Sequence, residues 1–235
     1  MKISIMQPGY LPWLGFFELM ARCDLFVILD NVQFTKKDWR SRNRIRTKDG
    51  WIWLSVPVLS KHRKTQLITE TKINNDRHWG QDHLQSLKIH YAKAPYLKDY
   101  IPFFEDIYNR KWDYLLDLDM AIIVHLAEQL NISTTIIQAS NLPIPEVSGN
   151  QRILEICRVT RAHELYDSNG AIAFINTALF HEAGINLTFQ DYPHPEYRQI
   201  YKPFLAYMSV IDLLFNEGPQ SKEIILNSPI LKSKE

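Results

Sequence analysis

The stretch from Lys36 to Lys48 places Arg40, Arg42, Arg44 and Arg46 at strict alternation, with Lys37 and Trp39 just ahead of them. A period of two puts such side chains on one face of an extended strand. Asp49-Gly50 follows, then the run Trp51 to Val58. An Asp-Gly pair between two extended runs predicts a hairpin. With Asp49-Gly50 as a two-residue loop, Lys48 pairs with Trp51, Arg46 with Trp53, Arg44 with Ser55 and Asn43 with Val56. One face then carries Thr47, Ile45, Ile52, Leu54 and Val56 and belongs to the core; the other carries Arg42, Arg44, Arg46 and Lys48 beside Trp51 and Trp53. Guanidinium forks match phosphate oxygens bidentately, and indoles stack on rings. Such a face suits a nucleotide pyrophosphate or an RNA backbone, with Arg42, Arg44 and Arg46 acting as a set. The plainer alternative is a solvated strand face.

Other candidates sit at strand ends and in proline loops. Gln7 and Tyr10 lie in Gln7-Pro-Gly-Tyr-Leu-Pro12, directly after a short apolar run, where a glutamine can orient a ligand. Asp30 closes the run Leu25-Phe-Val-Ile-Leu29; a carboxylate there needs an arginine, a ligand hydroxyl or an amine as partner. His194, held between Pro193 and Pro195 near Tyr192 and Tyr197, is the favoured general base. The remaining histidines follow no metal-ligand spacing, so no metal is expected. Cys23 and Cys157 form neither a CxxC nor a disulfide framework and read as inert thiols. No P-loop, GxGxxG or GxSxG motif is present, and no cofactor is assigned.

The elements that must position these residues follow from periodicity. A strand over 2–6, a proline loop, a helix over 13–22 and a buried strand over 25–30 make a βαβ unit, in which ligands gather at the strands' carboxyl ends. Beyond the hairpin, a short strand is expected over 66–71 and helices over 78–92 and within 102–129, the latter broken at Trp112-Asp113. Strands over 133–138, 164–166 and 186–190 alternate with helices over 150–161 and 177–183, and Ser209 caps a last helix that stops at Gly218-Pro219. The fold class is therefore α/β, with a mostly parallel sheet flanked by helices and one hairpin. A single domain over 1–228 and a frayed tail over 229–235 account for the 235 residues. The 27 Lys+Arg against 26 Asp+Glu exclude a generic polyanion binder, so any basic site is local. No stretch reads as a membrane span or signal peptide, and the sparse cysteines point to the cytoplasm.

Several blocks together resemble one family. They are Gln7-Pro-Gly-Tyr-Leu-Pro-Trp-Leu-Gly-Phe-Phe17, Asp24 through Asp30-Asn-Val-Gln33-Phe34, and Trp39-Arg-Ser-Arg-Asn43-Arg44. Farther on, Ala92-Lys-Ala-Pro-Tyr96, His194-Pro-Glu-Tyr197 and Ser209-Val-Ile-Asp212 through Gly218 extend the likeness over nearly the whole chain. This pattern resembles the WbqC-like family. The resemblance implies a transferase of surface-polysaccharide (O-antigen) biosynthesis, placing glycine or another acyl group on an amino sugar carried by a nucleotide. Within the matched blocks it adds Gln33, Trp39, Asn43 and Tyr197 to the substrate-binding set. Aminoacyl-tRNA or another acyl donor is the implied second partner. A non-catalytic nucleotide- or RNA-binding protein is the alternative. The N-terminal layout is also similar to nucleotidylyltransferases, but their His-x-Gly-His is replaced by Trp13-Leu-Gly-Phe16. The family's glycine-rich stretch after the strand near Tyr166 is here Ser168-Asn-Gly-Ala171.

Overall fold

The computed structural model describes residues 1–59 and 65–227, and the tail expected over 229–235 lies outside them. Five short apolar strands, β1 (Lys2–Met6), β2 (Leu25–Ile28), β5 (Thr135–Gln138), β6 (Glu164–Asp167) and β7 (Asn186–Phe189), form a parallel sheet in the order β5-β2-β1-β6-β7. β3 (Arg42–Thr47) and β4 (Gly50–Ser55) form a separate antiparallel hairpin. The chain runs from β1 outward through β2 to β5, then returns to the other side of β1 for β6 and β7. The point of reversal therefore lies between β1 and β6, where doubly wound sheets open a crevice at their carboxyl ends.

Alternation along the strands separates two apolar layers. Ile3, Ile5, Leu25 and Val27 pack with Leu154, Ile156 and Cys157 of α5 (Gly149–Val159) and with Phe180 of α6 (Thr177–Glu182). Phe26 and Ile28 face the larger cluster. That cluster gathers α1 (Leu14–Ala21), α2 (Trp79–His90), α3 (Leu97–Asn109), α4 (Leu115–Gln129), α7 (Val210–Glu217), α8 (Ser221–Leu226) and the hairpin's inner face. Ser209 caps α7, its Oγ accepting from the Ile211 amide at 3.4 Å.

Two expectations are corrected. The hairpin turns at Lys48-Asp49, so Thr47 pairs with Gly50, Arg46 with Trp51, Arg44 with Trp53 and Arg42 with Ser55. Gly50, at φ 139°, takes a backbone conformation that L side chains rarely adopt, which lets the glycine open the second strand instead of ending the loop. The slip moves each pair by two positions and so conserves the faces: Ile45, Leu54 and Val56 are buried as expected. The segment expected as a strand over 66–71 contains a single 3₁₀ turn, Ile68–Glu70, because the Glu70 carboxylate accepts from the Leu67 amide at 2.9 Å and closes the backbone locally.

Candidate functional site

The proline loop after β1 and the hairpin enclose a cleft of about 360 Å³, lined by Gln7, Trp13, Trp39, Arg40, Arg44 and Tyr207 among others. The loop is pinned against the hairpin's approach. The Tyr10 amide donates to the Trp39 carbonyl at 3.1 Å, and Gly9 leaves only 3.2 Å between that carbonyl and an added Cβ. Asn43 Nδ2 donates to the Leu11 carbonyl at 2.6 Å, while its Oδ1 accepts from the Arg44 amide. The Ser209 amide donates to the Arg44 carbonyl, joining the start of α7 to the same strand. Leu11, Lys37 and Tyr207 adopt left-handed backbone angles of φ 49°, 57° and 61°. Such residues persist where surrounding contacts force them, and they gather at ligand sites.

On the hairpin's outer face, guanidiniums and indoles interleave. Arg42 stands 4.2 Å from the Trp53 ring, and Arg44 stands 5.3 Å from Trp39 and 5.2 Å from Trp51. Trp39 and Trp53 lie 5.2 Å apart. Arg44 donates to the Tyr207 carbonyl at 3.0 Å, and its Nε has no partner among the described residues. Desolvation lowers the Arg44 pKa below its ordinary value, and among the described residues no carboxylate pairs with it. A partly desolvated cation without a counter-ion favours an anionic ligand.

The other expected residues divide between wall and interior. Gln7 Oε1 accepts from Arg40 Nε at 2.6 Å, and both line the cleft. Arg46 does not share the solvent-facing set: it is 1% exposed and donates to the carbonyls of Thr47, Gly50 and Pro203. Tyr10 is fully buried, its hydroxyl 2.8 Å from His83 Nδ1 and 2.5 Å from the Tyr108 hydroxyl. Tyr197 is buried and donates to Asp212 at 2.7 Å, in a cage completed by Tyr91 and Gln199. Asp30 is also buried. The partners it needs are Gln138 Nε2 at 3.0 Å and the Ser140 amide and hydroxyl at 2.9 and 2.6 Å, which tie the end of β2 to the segment after β5. His194 packs behind the cleft wall, 6.4 Å from the Trp13 ring and 5.1 Å from that of Tyr207. Its Nδ1 lies 2.9 Å from the Pro195 carbonyl, its Nε2 is buried, and desolvation lowers its pKa. Gln33 and Lys37 are exposed on the loop between β2 and β3.

A second cleft, of about 480 Å³, opens at the carboxyl ends of β1, β2 and β6 and shares Met6, Gln7 and Arg40 with the first. Asp167 lies within it, its Oδ1 accepting from the Ser168 amide at 2.6 Å. Burial pushes the Asp167 carboxyl up to about 6, against the Ser168 hydrogen bonds that lower it. Sequence reasoning passed over Asp167 and Tyr207, and it placed Arg40 in the arginine alternation without a role of its own. The available signal for Asp167 was an acid closing a buried strand just before Ser168-Asn-Gly170.

Cys23 and Cys157 are buried free thiols, raised by desolvation to about 11 and about 12. Among the described residues no group of three His, Cys, Asp or Glu could hold a metal ion, and no helix is long and apolar enough to cross a membrane.

Comparison with known proteins places this geometry in a family. An uncharacterised protein of Mycobacterium tuberculosis, Rv1507c, is 31% identical over 226 residues, covering 95% of this chain and 97% of its own. No solved structure matches. The profile of the WbqC-like protein family matches residues 7–224, from the proline loop after β1 through the hairpin and the capped helix α7, and the chain belongs to that family.

Proposed function

We propose that this protein is a transferase that places an aminoacyl or other acyl group on an amino sugar carried by a nucleotide, in the assembly of a surface polysaccharide. The observation that carries the reading is the pair of adjoining clefts. One presents an unpaired guanidinium among indoles, the other a desolvated carboxylate, and the Arg40–Gln7 contact forms their common wall. A group transfer needs two bound partners brought to one point, and such juxtaposition supplies a large share of rate enhancement. In this reading Arg44 and Arg42 hold the diphosphate, Trp39 or Trp53 stacks the base, and Gln7 orients the partner at the shared wall. The sugar amine bonds to the donor's carbonyl carbon, the donor's ester oxygen leaves with the bonding pair, and the proton that the amine gives up ends on that departing oxygen. Tyr10, Tyr197 and Asp30 act as positioning residues, because their polar atoms are engaged behind the cleft walls, and His194 does the same through its ring packing on Trp13 and Tyr207. Arg46 does the same for the hairpin.

A second reading rests on the outer hairpin face, where Trp39 and Trp51 are more than 40% exposed beside Arg42 and Arg44. Exposed aromatics interleaved with cations suit single-stranded RNA. The deciding experiment incubates the purified protein with a nucleotide-linked amino sugar, glycine and either aminoacyl-tRNA or an ATP-activated donor, and weighs the products. A mass gain of one acyl unit on the sugar supports the transferase; tight RNA binding with no product supports the alternative. Arg44→Ala should weaken UDP binding by about 1.5–3 kcal/mol, the range for a charge-assisted hydrogen bond, as calorimetry would read it.

A further inference from the structure

The cleft at the carboxyl ends of β1 and β6 carries a feature that the hairpin cleft does not explain. It lies at the sheet's point of reversal, the place where a doubly wound fold opens a ligand crevice. Its walls are largely apolar, with Leu29, Ile153 and Phe174 among them, and its volume of about 480 Å³ is in the range of small-molecule sites. Into these walls is set one carboxylate, Asp167, which is only 7% exposed. A carboxylate taken out of water is stabilised by a cation or by several hydrogen bonds. Asp167 has only Ser168, whose amide and side chain both bond to it, and among the described residues no Lys, Arg or His pairs with it. The arginines that line the same cleft are engaged elsewhere. Arg152 donates to the Val147 and Asn31 carbonyls, and Arg40 donates to Gln7 and lies 3.7 Å from Asp38. The site therefore lacks its cation.

We propose that this cleft binds a primary ammonium group, with Asp167 as its counter-ion and the Ser168–Ala171 turn as the rim over it. The proposal rests on the transferase reading, within which it assigns the amine-bearing substrate to this cleft and the nucleotide to the hairpin cleft. Two sources share the chemistry: the amine of an amino sugar and the amine of an amino acid. Gly170 is open to a larger side chain, since an added Cβ meets only the Ser168 Oγ, at 3.9 Å, so the cleft can be filled from its rim without touching Asp167.

The test is ligand titration followed by the amide resonances of the full-length protein. Glucosamine and glycinamide serve as amine probes, N-acetylglucosamine as the neutral control and UDP as the probe of the hairpin cleft. The expected result is saturable shifts at Ser168 and Gly170 with at least one amine probe, and binding at least about tenfold weaker for N-acetylglucosamine and in Asp167→Asn. Glucosamine alone assigns the acceptor sugar, and glycinamide alone assigns the amino acid. Gly170→Leu should abolish the amine-induced shift at Ser168, and it decides the matter if Asp167→Asn does not fold. Equal binding of the neutral sugar, undiminished binding in folded Asp167→Asn, or no shift with either amine overturns the proposal. UDP shifts at the Trp39 and Trp53 indoles without amine binding sink this site alone. Amine binding with no UDP binding leaves this site standing and sinks the two-cleft transferase.

Discussion

Arg42, Arg44 and Arg46 share one strand face, yet they do different work. Arg46 sits where the returning chain near Pro203 covers the hairpin, and three backbone carbonyls accept from its guanidinium. Removing it leaves one buried carbonyl and two part-buried ones without this donor and vacates a buried side-chain volume, and an unsatisfied buried acceptor alone costs about 1–3 kcal/mol. Arg46→Ala should therefore destabilise the fold by about 3 kcal/mol or more in urea denaturation. Arg42→Ala should cost about 1 kcal/mol or less, the worth of a cation–π contact. Equal losses would show that the two arginines are not divided in this way. Strict alternation made the face legible in the sequence but gave no means of telling Arg46 from its neighbours. What separates them is burial: Arg44 also reaches the returning segment, at the Tyr207 carbonyl, but only Arg46 is covered by it, with three carbonyls on its guanidinium. His194 carries the same lesson, since its loop was readable from two prolines, whereas the Trp13 ring packed against it comes from the other end of the chain.

At the level of elements, most of the fold was legible because its signals are local. A short β-type run marked β1, a continuous apolar run marked β2, and Pro12, Ser209 and Gly218 bounded helices α1 and α7. The hairpin register was not, because Lys48-Asp49 and Asp49-Gly50 both supply turn residues and both conserve the apolar face; the observed choice sets Arg44 opposite Trp53. The packing of α2 on α3 was also invisible. Gly80 lies in the first turn of α2, and a Cβ there would stand 2.6 Å from the Tyr108 carbonyl oxygen, a backbone atom that cannot swing aside. Alanine in place of glycine favours an exposed helix by about 1 kcal/mol. Overpacking against backbone costs about 1–3 kcal/mol. Gly80→Ala should thus be net destabilising by about 1–2 kcal/mol in a melting experiment, and a stabilised variant would show that the two helices can part freely.

Across the whole molecule, buried histidine and buried carboxylates set stability against pH in opposite directions. His83, buried beside Tyr10 and Trp79, is held by desolvation near 4, below its ordinary 6.5. The unfolded chain protonates this imidazole first as pH falls, so its contribution is present above pH 6.5 and is lost on the way down to about 4. Asp167 behaves in the reverse sense. Its folded value of about 6 lies above the ordinary 3.8, so the folded protein takes up a proton first, and stability rises as pH falls from about 6 to about 4. Buried Asp119 and Asp212 are shifted upward as well and add to that trend. The difference between about 6 and 3.8 corresponds to about 3 kcal/mol, so at neutral pH the ionised Asp167 is a net cost to the fold. Asp167→Asn should therefore be more stable than the parent at pH 7.5, by up to about 3 kcal/mol. That advantage should shrink as pH falls through 6 and be gone near pH 4, where the parent carboxyl is neutral too. Urea denaturation of both proteins at pH 7.5, 6 and 4.5 reads the difference directly. A variant that is less stable than its parent at pH 7.5, or a gap that does not narrow with acid, would mean that Asp167 is compensated within the fold and is not waiting for a cation.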